Sequence, residues 1–163
     1  MADIDFYADT VLRHRVLDIP LGSPPSVWEE RLGTDFLDDL KKGRMRRDYG
    51  LVELTFAKKG EKWESVTASL QIHRLEGGGE GLVPSQLEYS FGQFTQSVLF
   101  GAFIEALRSR GVDLEEVSGA PTKGFSQFRA QGSQTSVYVR TTEPGEKPEG
   151  GTLWSIVLPY SAP

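Results

Sequence analysis

The residues that could carry catalysis are few, and their spacing selects no reaction. The chain has two histidines, His14 and His73, and no cysteine, which excludes a thiolate nucleophile, disulfides and thiolate metal sites. His73 has many serines to pair with, but no G-x-S-x-G turn presents one of them as a nucleophile. His14 stands between arginines, where we expect it to face solvent or a carboxylate. The sequence therefore predicts that the protein is not an enzyme.

Metal and phosphate sites have equally little support. Asp35, Asp38 and Asp39 are close enough in sequence to surround a hard cation, but neither an H-E-x-x-H pair nor a D-x-D-x-D-G loop occurs. The glycine-rich stretch Glu76–Gly81 lacks the Lys-Ser/Thr of a phosphate-binding loop. We interpret the aspartates as a solvated turn and the glycines as a flexible link. No cofactor is expected.

The charge balance argues against nucleic acid and against an anionic membrane as partners. Eighteen Lys and Arg against 23 Asp and Glu give a formal net charge of −5. The basic run Lys41–Asp48 is flanked by aspartates, so we interpret it as a solvated connector. The longest apolar run, Val98–Ile104, is far shorter than the roughly 18–20 residues of a membrane span. The start of the chain lacks the pattern of a secretory signal, and we expect a cytoplasmic protein.

A pattern of one helix followed by two strands occurs twice in the sequence. These elements would position the candidate residues named above. Ser23, Pro24, Pro25 and Gly33 punctuate the first helix, and strict alternation of apolar residues marks the strands. The predicted elements are, in order, Ser23–Gly33, Arg46–Ala57, Lys62–Leu75, Thr95–Gly111, Ser133–Thr142 and Gly151–Tyr160. We predict one domain, 1–163, with pseudo-repeat halves 1–76 and 82–163. Duplication and independent use of a common packing solution both remain open.

These elements predict an α+β fold: an antiparallel sheet of about four to six strands with two main helices packed on one face. The phase of the strands and of the second helix predicts which side chains form the core. These are Val52, Leu54, Phe56, Leu70, Ile72, Phe103, Leu107, Val137 and Ile156.

The opposite phase of the strands predicts an exposed surface that mixes aromatic and charged side chains. Such a surface is typical of an interaction patch, although an ordinary solvent-facing sheet, or one covered by a further segment, carries a similar mix. The candidate partner-binding residues on it are Tyr49, Glu53, His73, Tyr138 and Arg140.

Several segments of the first half resemble a group of small cytoplasmic actinobacterial proteins. The segments are DIPLG (Asp18–Gly22), the helix end Trp28…Leu32-Gly33, RRDYGLVELTF (Arg46–Phe56) and LQIHRL (Leu70–Leu75). Some members of this group resemble immunity proteins, which neutralise a toxin by binding its toxin domain. The resemblance implies a protein-binding module that occludes the toxin's active site.

The negative net charge would favour a toxin with a basic cleft, and the acidic loop residues Glu143, Glu146 and Glu149, or Asp38 and Asp39, are alternative contacts. A different class of function is a small-ligand-binding or enzymatic α+β domain with a pocket between helix and sheet.

Overall fold

Helices and strands alternate in blocks along the chain. The computed structural model describes residues 2–118, 124–141 and 146–159. The helices in this part are α1 (Asp3–Arg13), α2 (Pro25–Leu32), α3 (Ser85–Phe91) and α4 (Phe100–Arg108), with short 3-10 helices at Ile72–Gly77 and Pro148–Gly150. The strands are β1 (Leu37–Lys41), β2 (Arg44–Asp48), β3 (Val52–Lys59), β4 (Lys62–Leu70), β5 (Leu114–Glu116), β6 (Phe125–Ala130), β7 (Ser136–Arg140) and β8 (Thr152–Pro159).

All eight strands belong to one antiparallel sheet with the order β1-β2-β3-β4-β8-β7-β6-β5. Strands β1 to β4 form one meander and β5 to β8 form another. The last strands of the two meanders, β4 and β8, pair with each other at the centre of the sheet. Each half of the chain therefore places helices first and a four-stranded meander after them.

The core lies between one face of this sheet and the helices. Leu70 and Val137 both pair with Ile156, on opposite sides of β8, so their side chains point to the same face. Phe100 of α4 contacts Phe128 of β6 on this face, with ring centroids 4.7 Å apart. All nine core residues predicted from the sequence are buried, none more than 1% exposed, so that prediction is confirmed.

Helix α1 is an element that the sequence analysis did not predict. Its apolar side is buried in an aromatic cluster, in which the ring of Phe6 lies 5.2 Å from Phe91 and 5.8 Å from Phe94. The buried carboxylate of Asp3 accepts hydrogen bonds from the backbone N–H and the hydroxyl of Thr95, at 2.8 and 2.7 Å. These contacts tie the first helix to the segment that leads into α4.

A buried arginine holds the β1–β2 hairpin against α2. Arg47 is only 4% exposed. Its guanidinium donates two hydrogen bonds to Asp38, at 2.9 and 3.1 Å, and one to Glu29 of α2, at 3.1 Å. The same group lies 3.6 Å from the centroid of the Phe36 ring. This cation is satisfied on its edges by carboxylates and on its face by an aromatic ring.

The α+β class and the antiparallel sheet are confirmed, but the details differ from the prediction. The sheet has eight strands rather than four to six, and four α-helices rather than two main ones are present in the described residues. The connector predicted around Lys41–Asp48 forms β2 and its hairpin with β1. The single strand predicted at Arg46–Ala57 is divided by a turn between β2 and β3. The predicted ends Thr142 and Tyr160 lie outside the described residues.

Candidate functional site: an aromatic and cationic sheet face

One face of the sheet carries no α-helix in the described part of the chain, and we call it the open face. Register identifies its residues, since the direct pairs Phe125–Arg140, Gln127–Tyr138 and Glu53–Ser69 alternate with pairs of core residues. Most of these side chains are half-buried by one another rather than fully exposed. Such a surface presents a shaped, ordered set of side chains to a partner.

Trp154 is the centre of the open face. The ring of His73 stacks on it, with centroids 4.3 Å apart and planes 9° from parallel. Phe125 meets it edge to face at 5.1 Å, and the Arg140 guanidinium carbon lies 4.8 Å from its centroid. We call these four residues the Trp154 cluster. It combines offset aromatic contacts with a cation over an indole, both of which favour fixed geometry.

Two local irregularities bring the cluster together. The β7–β8 register shifts between Tyr138 and Val139, because β8 carries one extra residue there. This bulge leaves Leu153 in the core and turns Trp154 to the open face. The second irregularity is the 3-10 helix Ile72–Gly77, which follows β4. This helix carries His73 to the ring of Trp154.

His73 is held in the cluster as a neutral ring. Its Nε2 lies 3.0 Å from Oε1 of Gln71, whose side-chain N–H donates to Ser69 at 2.9 Å. An amide oxygen only accepts, so this contact is made by the tautomer that carries its proton on Nε2. Burial lowers the pKa of His73 below its usual value, and the nearby cations Arg74 and Arg140 lower it further against an opposing effect of Glu76. The ring therefore stacks on Trp154 uncharged at neutral pH.

The charged residues of the open face differ in how well they are paired. Arg74 bridges Asp48 and Glu53, at 2.9 and 2.7 Å, and Arg140 pairs with Glu76 at 3.0 Å. The buried Nε atoms of Arg129 and Arg140 have no hydrogen-bond partner within the described residues.

Four of the five candidate binding residues lie on the open face. Glu53, Tyr138 and Arg140 are there in their predicted phase, half-buried, and His73 reaches it from the 3-10 helix rather than from β4. The structure therefore brings His73 and Arg140 together around Trp154, while Glu53 belongs to the neighbouring ion-pair network.

The exposure expected for Tyr49 is wrong. Tyr49 is 4% exposed and Leu51 is fully buried, because the turn between β2 and β3 reverses the phase assumed for one continuous strand. The Tyr49 hydroxyl donates to the carbonyl of Gly33 at 2.8 Å, and its ring packs on Phe36. Tyr49 thus joins the turn to the end of α2 and is not available on the surface.

The sequence analysis did not select Trp154 or Phe125, although both contact the candidate residues. The only signal was that the last strand is apolar on both faces. A bulge cannot be placed from alternation, so the phase of Trp154 relative to Ile156 was not readable from the sequence.

A second histidine lies beside two hydroxyl groups. Nδ1 of His14 is 2.8 Å from the Ser133 hydroxyl and 3.1 Å from that of Thr135, beside a cleft of about 280 Å³. Burial lowers the pKa of His14. In the described part of the chain no carboxylate forms a hydrogen bond with this ring. A hydroxyl group and His14 therefore lack the third group that orients a catalytic histidine.

Metal ligation and membrane spanning were the two remaining possibilities, and both concern residues 2–118, 124–141 and 146–159. No three His, Asp or Glu side chains gather there as metal ligands. No helix in that part of the chain combines the length and the apolar character needed to cross a membrane.

Comparisons with known proteins assign no family to this fold and surface. No protein-family model matches the chain, and searches of curated proteins and of solved structures return no significant similarity. Function must therefore be argued from the open face itself.

Proposed function

We propose that this chain is a protein-binding module of the immunity type, which neutralises a toxin domain by covering its active site. The observation that carries the proposal is the Trp154 cluster on the open face. Tryptophan and arginine, together with the neighbouring Tyr138, are the residue types that dominate the energy of protein interfaces. They stand on strands that are paired within the sheet, so less conformational entropy would be lost on binding than from a loop.

Inhibition would be steric. An open sheet face is broad and flat compared with a cleft, so it suits covering the rim of a partner's active site rather than enclosing a small molecule. The formal net charge of −5 would speed encounter with a basic toxin domain, and the aromatic cluster would supply affinity after encounter.

The alternative of a small-ligand or enzymatic site between helix and sheet has less support. A cleft between α4 and strands β5 and β6 has a volume of only about 120 Å³. Pockets for drug-sized ligands measure about 300–1,000 Å³. Its lining includes the charged side chains of Arg108, Asp113 and Glu149 around an apolar floor, without a hydrogen-bonded set that converges on one point.

The test is binding to the product of the adjacent gene, followed by substitution on the open face. Trp154→Ala and Arg140→Glu should each weaken the complex and restore activity to the toxin domain, because they remove the central anchor and reverse its cation. Tyr89→Ala is the matched control, since Tyr89 is 94% exposed on α3, away from the open face. Circular dichroism and thermal melting would establish that each variant remains folded.

Two outcomes would overturn the proposal in different ways. Absence of binding to the neighbouring product would remove the immunity function. Binding that survives both open-face substitutions, but is lost in variants of Glu146 or Glu149, would keep the function and move the contact surface to the acidic loop. Glu143, the other acidic residue considered there, lies outside the described residues.

A further inference from the structure

The β1–β2 and β3–β4 hairpins bring a basic cluster together at one end of the sheet. The two hairpin ends lie side by side, because the N–H of Lys58 donates to the carbonyl of Gly43 at 3.0 Å. Seven cations lie at this end of the sheet against the four carboxylates of Asp39, Glu53, Glu61 and Glu64: Lys41, Lys42, Arg44, Arg46, Lys58, Lys59 and Lys62. Two of the cations are in ion pairs with these carboxylates, Arg46 with Glu53 at 3.8 Å and Lys59 with Glu64 at 3.2 Å. In a chain of net charge −5, this end is a local region of opposite sign.

Strand β1 runs along this basic end as an edge strand. All five of its residues are exposed, and no strand in the described ranges pairs with its outer side. Leu37 is 79% exposed and Leu40 is 65% exposed, on opposite faces of the strand. Edge strands are usually protected by charge, bulges or covering segments. Strand β1 carries the charges of Asp38, Asp39 and Lys41, but Asp38 is paired with Arg47, and the two leucines remain exposed on the open edge.

The hairpin register shows which backbone groups of this edge are free. The loop Lys42–Gly43 has two residues, so Lys41 and Arg44 form the hydrogen-bonded closing pair. Pairs then alternate along the ladder, which leaves the N–H and C=O groups of Asp38 and Leu40 directed away from β2. Two hydrogen bonds on the other side of β2 follow the same alternation. The carbonyl of Gly43 accepts from the N–H of Lys58, and the N–H of Tyr49 donates to the carbonyl of Val52.

We propose that the edge of β1 binds an extended acidic segment of a partner protein as a ninth strand of the sheet. The backbone groups of Asp38 and Leu40 would pair with that segment, the two leucines would contact its apolar side chains, and the basic cluster would attract its carboxylates. Nucleic acid and anionic lipid fit less well, because neither uses a strand edge. This surface is separate from the Trp154 cluster and does not depend on the function proposed for it.

A second copy of this chain is a poorer occupant than an acidic segment. Antiparallel pairing of two β1 strands about their midpoint would place the Asp39 carboxylates of the two copies directly opposite each other. Parallel pairing would bring the two basic clusters together. Like charges opposed in either way destabilise strand pairing.

The test uses the whole protein and an acetylated peptide of alternating glutamate and valine, with a lysine–valine peptide as control. Two-dimensional NMR of the wild-type protein should show binding of the acidic peptide and slower hydrogen exchange at the amides of Asp38 and Leu40. The amides of Lys41 and Arg44, already bonded within the hairpin, should change much less. Binding should weaken as salt rises.

Variants separate strand pairing from simple charge attraction. The triple reversal Lys41→Glu, Lys42→Glu and Arg44→Glu should weaken the peptide complex by at least about tenfold. Leu40→Pro leaves the charge unchanged but removes an outward N–H, and should weaken it similarly. Arg108→Glu, at an exposed site on α4, should leave the affinity within about twofold of the wild-type value, because α4 packs against β6, which is five strands away from β2 in the sheet order.

Three results would overturn the proposal. The first is binding of the acidic peptide without protection of the Asp38 and Leu40 amides. The second is equal binding of the lysine–valine peptide. The third is tighter binding of an oligothymidylate or of phosphatidylserine vesicles to the same basic cluster. The exchange measurement needs no variant, so it decides the proposal even if Leu40→Pro fails to fold.

Discussion

Replacing the buried Arg47 tests whether β1 and α2 are held together by one cation. Arg47→Met would remove the two hydrogen bonds to Asp38 and the one to Glu29. A hydrogen bond to a charged group contributes about 1.5–3 kcal/mol net of the water that it replaces, and bonds that share one guanidinium do not add independently. The side chains of Asp38 and Glu29 remain 25% and 36% exposed, so water can replace the arginine around them. We therefore expect a loss of about 2–3 kcal/mol, below the 3–5 kcal/mol typical when a fully buried ion pair is broken.

Removing the acceptor Asp38 should lower the free energy of unfolding at least as much as removing Arg47. Asp38→Ala leaves the guanidinium of Arg47, whose side chain is only 5% exposed, with Glu29 as its one remaining carboxylate partner among the described residues. Because a buried cation cannot recover water, we expect about 3–5 kcal/mol. The double variant should be less destabilised than the sum of the two single variants by about 1–3 kcal/mol.

Urea unfolding monitored by tryptophan fluorescence and circular dichroism would measure these free energies. Arg46→Met is the matched control. The Arg46 side chain lies on the same strand, but it is 55% exposed, and its ion pair with Glu53 is long, at 3.8 Å. It should change the free energy of unfolding by less than about 1 kcal/mol. If the effects of Arg47→Met and Asp38→Ala add to within about 0.5 kcal/mol, the two residues are not coupled and the reasoning fails.

The remaining predictions concern the core, a turn and the histidines. Phe103→Ala should lower the free energy of unfolding by about 3–5 kcal/mol, since the ring is fully buried, and a melting temperature within a degree or two of wild type would contradict the placement of α4. Gly50→Ala should also destabilise, because φ is +96° and a Cβ would lie 2.4 Å from the carbonyl oxygen of Leu82; Gly43→Ala, with open space at its Cβ position, is the control that shares the positive φ. Burial lowers the pKa of His14 and of His73 in the folded protein, so their contribution to stability is present above their unfolded pKa of 6.5 and is lost as pH falls below it. Replacing either histidine with glutamine should reduce the fall in the free energy of unfolding between pH 7 and pH 5, and an unchanged slope in both variants would contradict these shifts.

Local sequence signals predicted the parts of the fold that depend on neighbouring residues. Pro24, Pro25 and Gly33 bound α2 in the structure as the sequence indicates. Alternation correctly placed Val52, Leu54 and Phe56 in the core. These signals act over a few residues, so they survive without knowledge of the rest of the chain.

Elements with mixed signals were predicted less well. Helix α1 does carry helix signals that the sequence analysis did not use: Asp3 and Asp5 lie in its first turn, Arg13 lies in its last, and the Asp5 carboxylate accepts a hydrogen bond from the backbone N–H of Ala2 at 2.9 Å. The strand β1 is exposed at every residue, which leaves no apolar phase to read. Both elements depend on distant contacts: α1 on Thr95 and Phe91, and β1 on the ladder with β2 and on Arg47.

The sequence by itself determined the α+β class, the antiparallel sheet and the nine core positions, because periodic burial is encoded residue by residue. Tertiary structure decided which side chains meet on the candidate surfaces. A bulge in β8 turns Trp154 out of the core, and a 3-10 helix returns His73 to meet it. The basic run that reads as a connector becomes an edge hairpin beside a second basic turn. In each case the residues come together through strand pairing between segments far apart in the chain, and alternation within one segment carries no information about that pairing.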